Sequence, residues 1–176
     1  MSPHRFSISH KPTFAVLAAT LVILIGLASG GPFLNPLSPG NSKITHIQYI
    51  AGDNLISTSI GLFDVQKRVF MTTDNKNGAL VFGPYLSLEP ACYSVTWFGT
   101  VRKDSRPQFE IFSTVNGVVK SESRLISITK QNVPLQIIQF KNQIKMSAIE
   151  FRVLVNASDD LEIKSIDLVV HDCKIL

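Results

Sequence analysis

Two kinds of hydrophobic pattern divide the chain. Residues 14–27 form an almost unbroken apolar run, FAVLAATLVILIGL, which predicts one hydrophobic helix at a membrane rather than one face of a globular core. From Ile44 onward helical periodicity is absent and period-two alternation takes over. Strands are predicted over Ile44–Ala51, Gln66–Thr73, Ala79–Leu88, Cys92–Val101, Gln108–Val115, Val118–Ile128, Pro134–Phe140, Ala148–Val155 and Leu161–His171. Asn77-Gly78 and Asn116-Gly117 each predict a type I′ hairpin, because both residue types tolerate positive φ. A third turn falls at Asn156–Asp160. Spacing of this kind predicts an all-β, antiparallel sandwich.

Alternation also assigns faces. Tyr93, Val95, Trp97 and Val101 share one side of their strand and predict core, leaving Ser94, Thr96, Phe98 and Thr100 outward. Phe151, Val153 and Val155 point inward and Glu150, Arg152 and Leu154 outward. Near the end, Ile166, Leu168 and Val170 oppose Asp167, Val169 and His171.

The apolar run has basic residues only before it (Arg5 and Lys11, with His10) and small residues after it (Ala28-Ser29-Gly30-Gly31). That order describes a signal peptide or an uncleaved signal anchor. Ala28 and Gly30 suit cleavage, whereas extension through Leu34 suits a span, which needs about 20 residues. No cysteine follows the run, which excludes a lipoprotein anchor. Either way the positive start stays cytoplasmic and the body faces outward, as a single-pass membrane protein or a secreted one. Gly31–Ser42, with Pro32, Pro36 and Pro39, reads as an extended tether. The expected organisation is therefore a leader over 1–31, a tether over 32–43 and a sandwich domain over 44–176.

This division changes the meaning of the charge. The chain of 176 residues carries 17 basic and 13 acidic side chains, a net charge of +4. Arg5, Lys11 and Lys43 precede the domain, leaving 14 cations against all 13 acids. A near-neutral body with scattered cations excludes a nucleic-acid surface.

Candidate chemistry is sparse. Phosphate loops, zincin helices and nucleophile elbows are absent, so neither catalysis nor a cofactor is expected. The body's two histidines, His46 and His171, lie far apart in sequence. Asp74–Gly78 resembles a calcium loop, but Tyr85 stands where the bidentate glutamate belongs. Asp159, Asp160 and Asp167 offer carboxylates without a recognisable metal spacing, and no metal site is expected. Cys92 and Cys173 suit a disulfide in an exported domain, two buried thiols, or metal binding with His171. Asn156-Ala-Ser158 matches a glycosylation acceptor.

The segment from Gly78 to Trp97 carries a further pattern: Gly83-Pro84-Tyr85, Leu86, Leu88, Pro90, then Tyr93-Ser-Val95-Thr-Trp97. It resembles the jelly-roll, carbohydrate-binding-module-like domains found beside bacterial glycosyltransferases and envelope polysaccharide proteins. Ile149–Val153 and Leu161–Ile166 are similar to that family's last two strands, while Ala91-Cys92 departs from its usual Gly plus polar residue. The resemblance implies a jelly-roll sandwich that binds glycan or cell-envelope polysaccharide without catalysis. Phe98, the aromatic on a polar face, is then a candidate sugar-stacking residue, with Tyr85 and Arg152 as further candidate contacts. Tyr85 also fits a structural role, packing or capping a sheet end behind the Gly-Pro bend. The alternative is an assembly protein that docks an envelope complex through an apolar patch.

Overall fold

The computed structural model describes residues 45–73, 75–129, 131–171 and 173. The expected leader, its helix and the tether lie outside them, as does Asp74. The described part is all-β, with eleven strands: β1 (Thr45–Ile50), β2 (Leu62–Asp64), β3 (Val69–Met71), β4 (Gly78–Val81), β5 (Pro84–Leu88), β6 (Ala91–Lys103), β7 (Gln108–Ser113), β8 (Gly117–Ser123), β9 (Val133–Asn142), β10 (Met146–Val155) and β11 (Asp160–His171).

They form two antiparallel sheets. In the six-stranded sheet β9, β6 and β11 are neighbours, and β1 and β3 share the far edge of β11, with β2 beyond β3. In the five-stranded sheet β8, β7 and β10 are neighbours, and β5 and β4 share the far edge of β10. The inner faces pack on one core. Trp97 of β6 meets Phe109 of β7 at 5.4 Å between ring centroids and Phe151 of β10 at 6.4 Å. Tyr49 of β1 lies 6.3 Å from Phe151. Aromatic rings bury large apolar surfaces, and this cluster joins the two sheets across the core. Tyr93, Val95, Trp97 and Val101 are all buried, as the alternation of β6 predicts.

Three turn expectations meet different fates. The Asn116-Gly117 hairpin forms between β7 and β8, but only Gly117 has positive φ (79°), so the turn is not type I′. A three-residue loop serves instead, because Ser113 Oγ accepts the Val115 and Asn116 N–H groups at 3.2 and 3.1 Å. The Asn77-Gly78 hairpin does not form. β3 and β4 belong to different sheets, and Asn77 Oδ1 instead accepts the Ala157 N–H at 2.6 Å, tying the crossing to another turn. That turn, after Asn156, joins β10 to β11 and also crosses between sheets.

The Gly83-Pro84 bend is a cis peptide between β4 and β5. Gly83 has φ of 115°, and a Cβ there would meet the Leu55 carbonyl oxygen at 2.4 Å, so only glycine fits. Tyr85 does not pack or cap the sheet end: it is 53% exposed, with φ of 66°. A residue in the left-handed region directs its side chain differently from its strand neighbours, which the alternation rule does not foresee. Cys92 and Cys173 form a disulfide with Cα atoms 5.1 Å apart, fastening the segment after β11 to the start of β6.

Candidate functional site

The three candidate ligand residues do not converge. Phe98 is half-buried on the outer face of the six-stranded sheet, opposite Pro134 on β9 and Ser165 on β11. Arg152 lies on the outer face of the other sheet, so the core separates them. Tyr85 is exposed on β5, at the edge of that second sheet.

Arg152 is the one with a built environment. Register places it directly opposite Glu110 of β7, which in turn lies opposite Ser121 of β8. One step along, Glu150 faces Phe112; one step the other way, Leu154 faces Gln108. Arg152 folds back along its own strand, donating from Nε and one terminal nitrogen to the two Glu150 oxygens, each at 3.1 Å. Its guanidinium carbon sits 3.4 Å from the centroid of the Phe112 ring, a cation–π contact.

Outward alternation of Glu150 predicts a solvated carboxylate, yet it is only 3% exposed, and Glu110 opposite Arg152 only 5%. Period-two patterning records direction, not what the neighbouring long side chains cover. Glu150 is satisfied by Arg152. Glu110 accepts one hydrogen bond, from Gln108 Nε2 at 2.6 Å, and that amide also donates to Ser121 Oγ at 2.8 Å. A carboxylate has about four acceptor positions, so Glu110 retains capacity for hydroxyl donors. The row ends in a depression of about 150 Å³ lined by Arg106, Gln108, Ser123, Leu154 and Asn156. Sequence reasoning missed Glu110, Gln108 and Phe112; the signal that finds them is cross-strand pairing with Arg152.

The other chemistry stays dispersed. His46 and His171 share the outer face of the six-stranded sheet, pairing with Asp167 Oδ2 at 2.9 Å and Ser94 Oγ at 3.0 Å. The Ser94–His171 pair has hydrolase-like spacing, but it borders neither the small depression nor the larger one beside Arg102. Asp159 is spent on the backbone N–H groups of Arg106 and Asn156, both at 2.8 Å, and Asp160 on Arg102. Asp167 binds His46 and Gln48. No three metal-ligating side chains converge among the described residues.

The fold is similar to several solved structures. A family two carbohydrate esterase from Cellvibrio japonicus matches at 13% identity and TM-score 0.43, over 73% of this chain and 34% of its own. The Glycosylation Associate Protein complex from Streptococcus agalactiae matches at 9% identity and TM-score 0.49, over 73% of this chain and 26% of its own. A mutant of a family 29 carbohydrate-binding module matches at 13% identity and TM-score 0.46, over 76% of this chain and 96% of its own. The chain thus spans about a third of the esterase and about a quarter of the streptococcal protein. No protein-family model matches the chain, and no curated protein matches it.

Proposed function

We propose that the domain is a non-catalytic jelly-roll module that binds neutral saccharide on the outer face of the five-stranded sheet. In the same reading residues 1–31 hold it at, or export it to, the extracytoplasmic side of a membrane, and residues 32–43 are the tether. The observation that carries the binding proposal is the row Arg152, Glu110, Gln108 on one sheet face, in which Glu150 and Phe112 hold Arg152 and Gln108 holds Glu110. Hydrogen bonds from sugar hydroxyls to charged groups contribute about 1.5–3 kcal/mol each when the partner is already oriented. The stacked guanidinium adds a planar surface for sugar C–H faces. Glu150, with one hydrogen bond from Arg152 on each oxygen, holds that guanidinium in place for ligand.

The full-length chain in detergent, applied to arrays of neutral and acidic oligosaccharides, tests this reading. Binding that is lost in Glu110→Ala and kept in Phe98→Ala is the expected result; silence across the array contradicts it. The assembly reading draws on a different observation: Phe98 and Pro134 pair on the outer face of the six-stranded sheet, Ile50 lies beyond Ser165 in the same row, and Ile137 is exposed beside it. It predicts the converse, a protein partner lost in Phe98→Ala.

A further inference from the structure

A larger depression, of about 590 Å³, lies where the ends of β3 and β6 meet the turn before β11. This volume is within the range of about 300–1,000 Å³ typical of small-molecule sites. Its lining includes Thr72, Thr73, Arg102, Lys103, Ser158 and Asp160.

Its walls are rigid for a chemical reason. Arg102 donates Nε to Asp160 Oδ1 at 2.8 Å and a terminal nitrogen to Glu162 Oε1 at 2.8 Å, with a second terminal nitrogen on Asp160. Thr72 Oγ1 donates to Asp160 Oδ1 at 3.3 Å and accepts the Leu161 N–H at 3.2 Å. A guanidinium has five N–H groups, so this one remains oriented and still has donors to offer. Arg102 and Lys67, whose Nζ lies 3.6 Å from Glu162 Oε1, together offset the Asp160 and Glu162 charges, so the array suits neutral hydroxyl groups better than an ion, which charges of one sign or the other would repel.

The two depressions flank the same pair of connections. The small one takes Arg106 and Asn156; the large one takes Lys103 and Ser158. Between them Asp159 clamps the Arg106 and Asn156 N–H groups, and the Asp160 N–H donates to Ser105 Oγ at 2.9 Å while Ser105 Oγ donates to the Lys103 carbonyl at 2.6 Å. Asp159 and Ser105 are both buried, so the dividing wall is a fixed element.

We infer that this depression is a second saccharide subsite, and that one neutral polysaccharide chain crosses the wall to occupy both. The inference rests on the binding reading above and adds to it a dependence on chain length. Linked subsites raise apparent affinity once a ligand spans them, by about 100-fold to 10,000-fold where the geometry allows both to be filled. The test is calorimetric titration of the full-length chain with neutral disaccharides and hexasaccharides of one linkage series, in wild type, Ser158→Trp and Lys103→Ala. Ser158 and Lys103 are exposed, so neither substitution disturbs the core. The expected result is that hexasaccharide binds wild type at least tenfold more tightly than disaccharide, and that both variants lose this gain while keeping disaccharide affinity. Length dependence unchanged in both variants overturns the second subsite and leaves the first intact. Silence of wild type towards every saccharide overturns both.

Discussion

Arg152 and Glu150 show how much a single outward-facing pair can hold in place. Glu150 is nearly inaccessible and its partner is Arg152, so removing the arginine alone strands a carboxylate away from water. Arg152→Ala is expected to cost about 1–3 kcal/mol in urea unfolding, whereas the double change Glu150→Leu with Arg152→Met is expected to recover most of that loss. Trp97 is the chain's single tryptophan and is 0% exposed, so its fluorescence reports the unfolding directly. Tyr49 gives a second, pH-dependent handle. Burial pushes its phenol up from 10 to about 12. The folded state therefore holds this proton more tightly than the unfolded chain. Stability from this group is complete below pH 10 and falls between pH 10 and about 12, by on the order of 2–3 kcal/mol. Tyr93 shifts in the same direction, through burial first and the nearby Glu89 charge second. Unfolding midpoints measured from pH 8 to 12 check the window and its sign.

At the level of elements, β6 and β11 form the axis of the six-stranded sheet and the disulfide closes it. The bridge spans a sequence separation of 81 residues, so constraining the unfolded chain is expected to contribute about 2–4 kcal/mol. Intact-mass analysis should show alkylation of Cys92 and Cys173 only after reduction, and reduction should lower the unfolding midpoint; full alkylation without reduction contradicts the bridge. Most strands were legible in the sequence because each has one buried face, as in the alternation of β6. Strand partners were not. Asn77-Gly78 has hairpin composition, yet its turn chemistry is the same whether the chain reverses within a sheet or crosses to another. β2, at three residues, is too short to show a period. The site was least legible, since its logic is lateral: Glu110 acquires meaning only from Arg152 across the ladder and Gln108 beside it.

Across the whole molecule, the domain has two distinct ends. β1 begins at Thr45, paired with Val170, and the disulfide lies at the same end. The larger depression is lined by Asp160, ten residues back along β11 and so about 33 Å away, and the smaller by Asn156 in the turn just before it. The near-neutral charge of the domain fits a ligand recognised by hydrogen bonds rather than by long-range attraction, and binding should change little with salt. Hydrogen–deuterium exchange with and without a neutral hexasaccharide reads which surface takes the ligand. Slowed exchange in segments 105–112 and 150–160 is the predicted result. Slowed exchange confined to 94–100 and 134–139, on the opposite sheet, would contradict it.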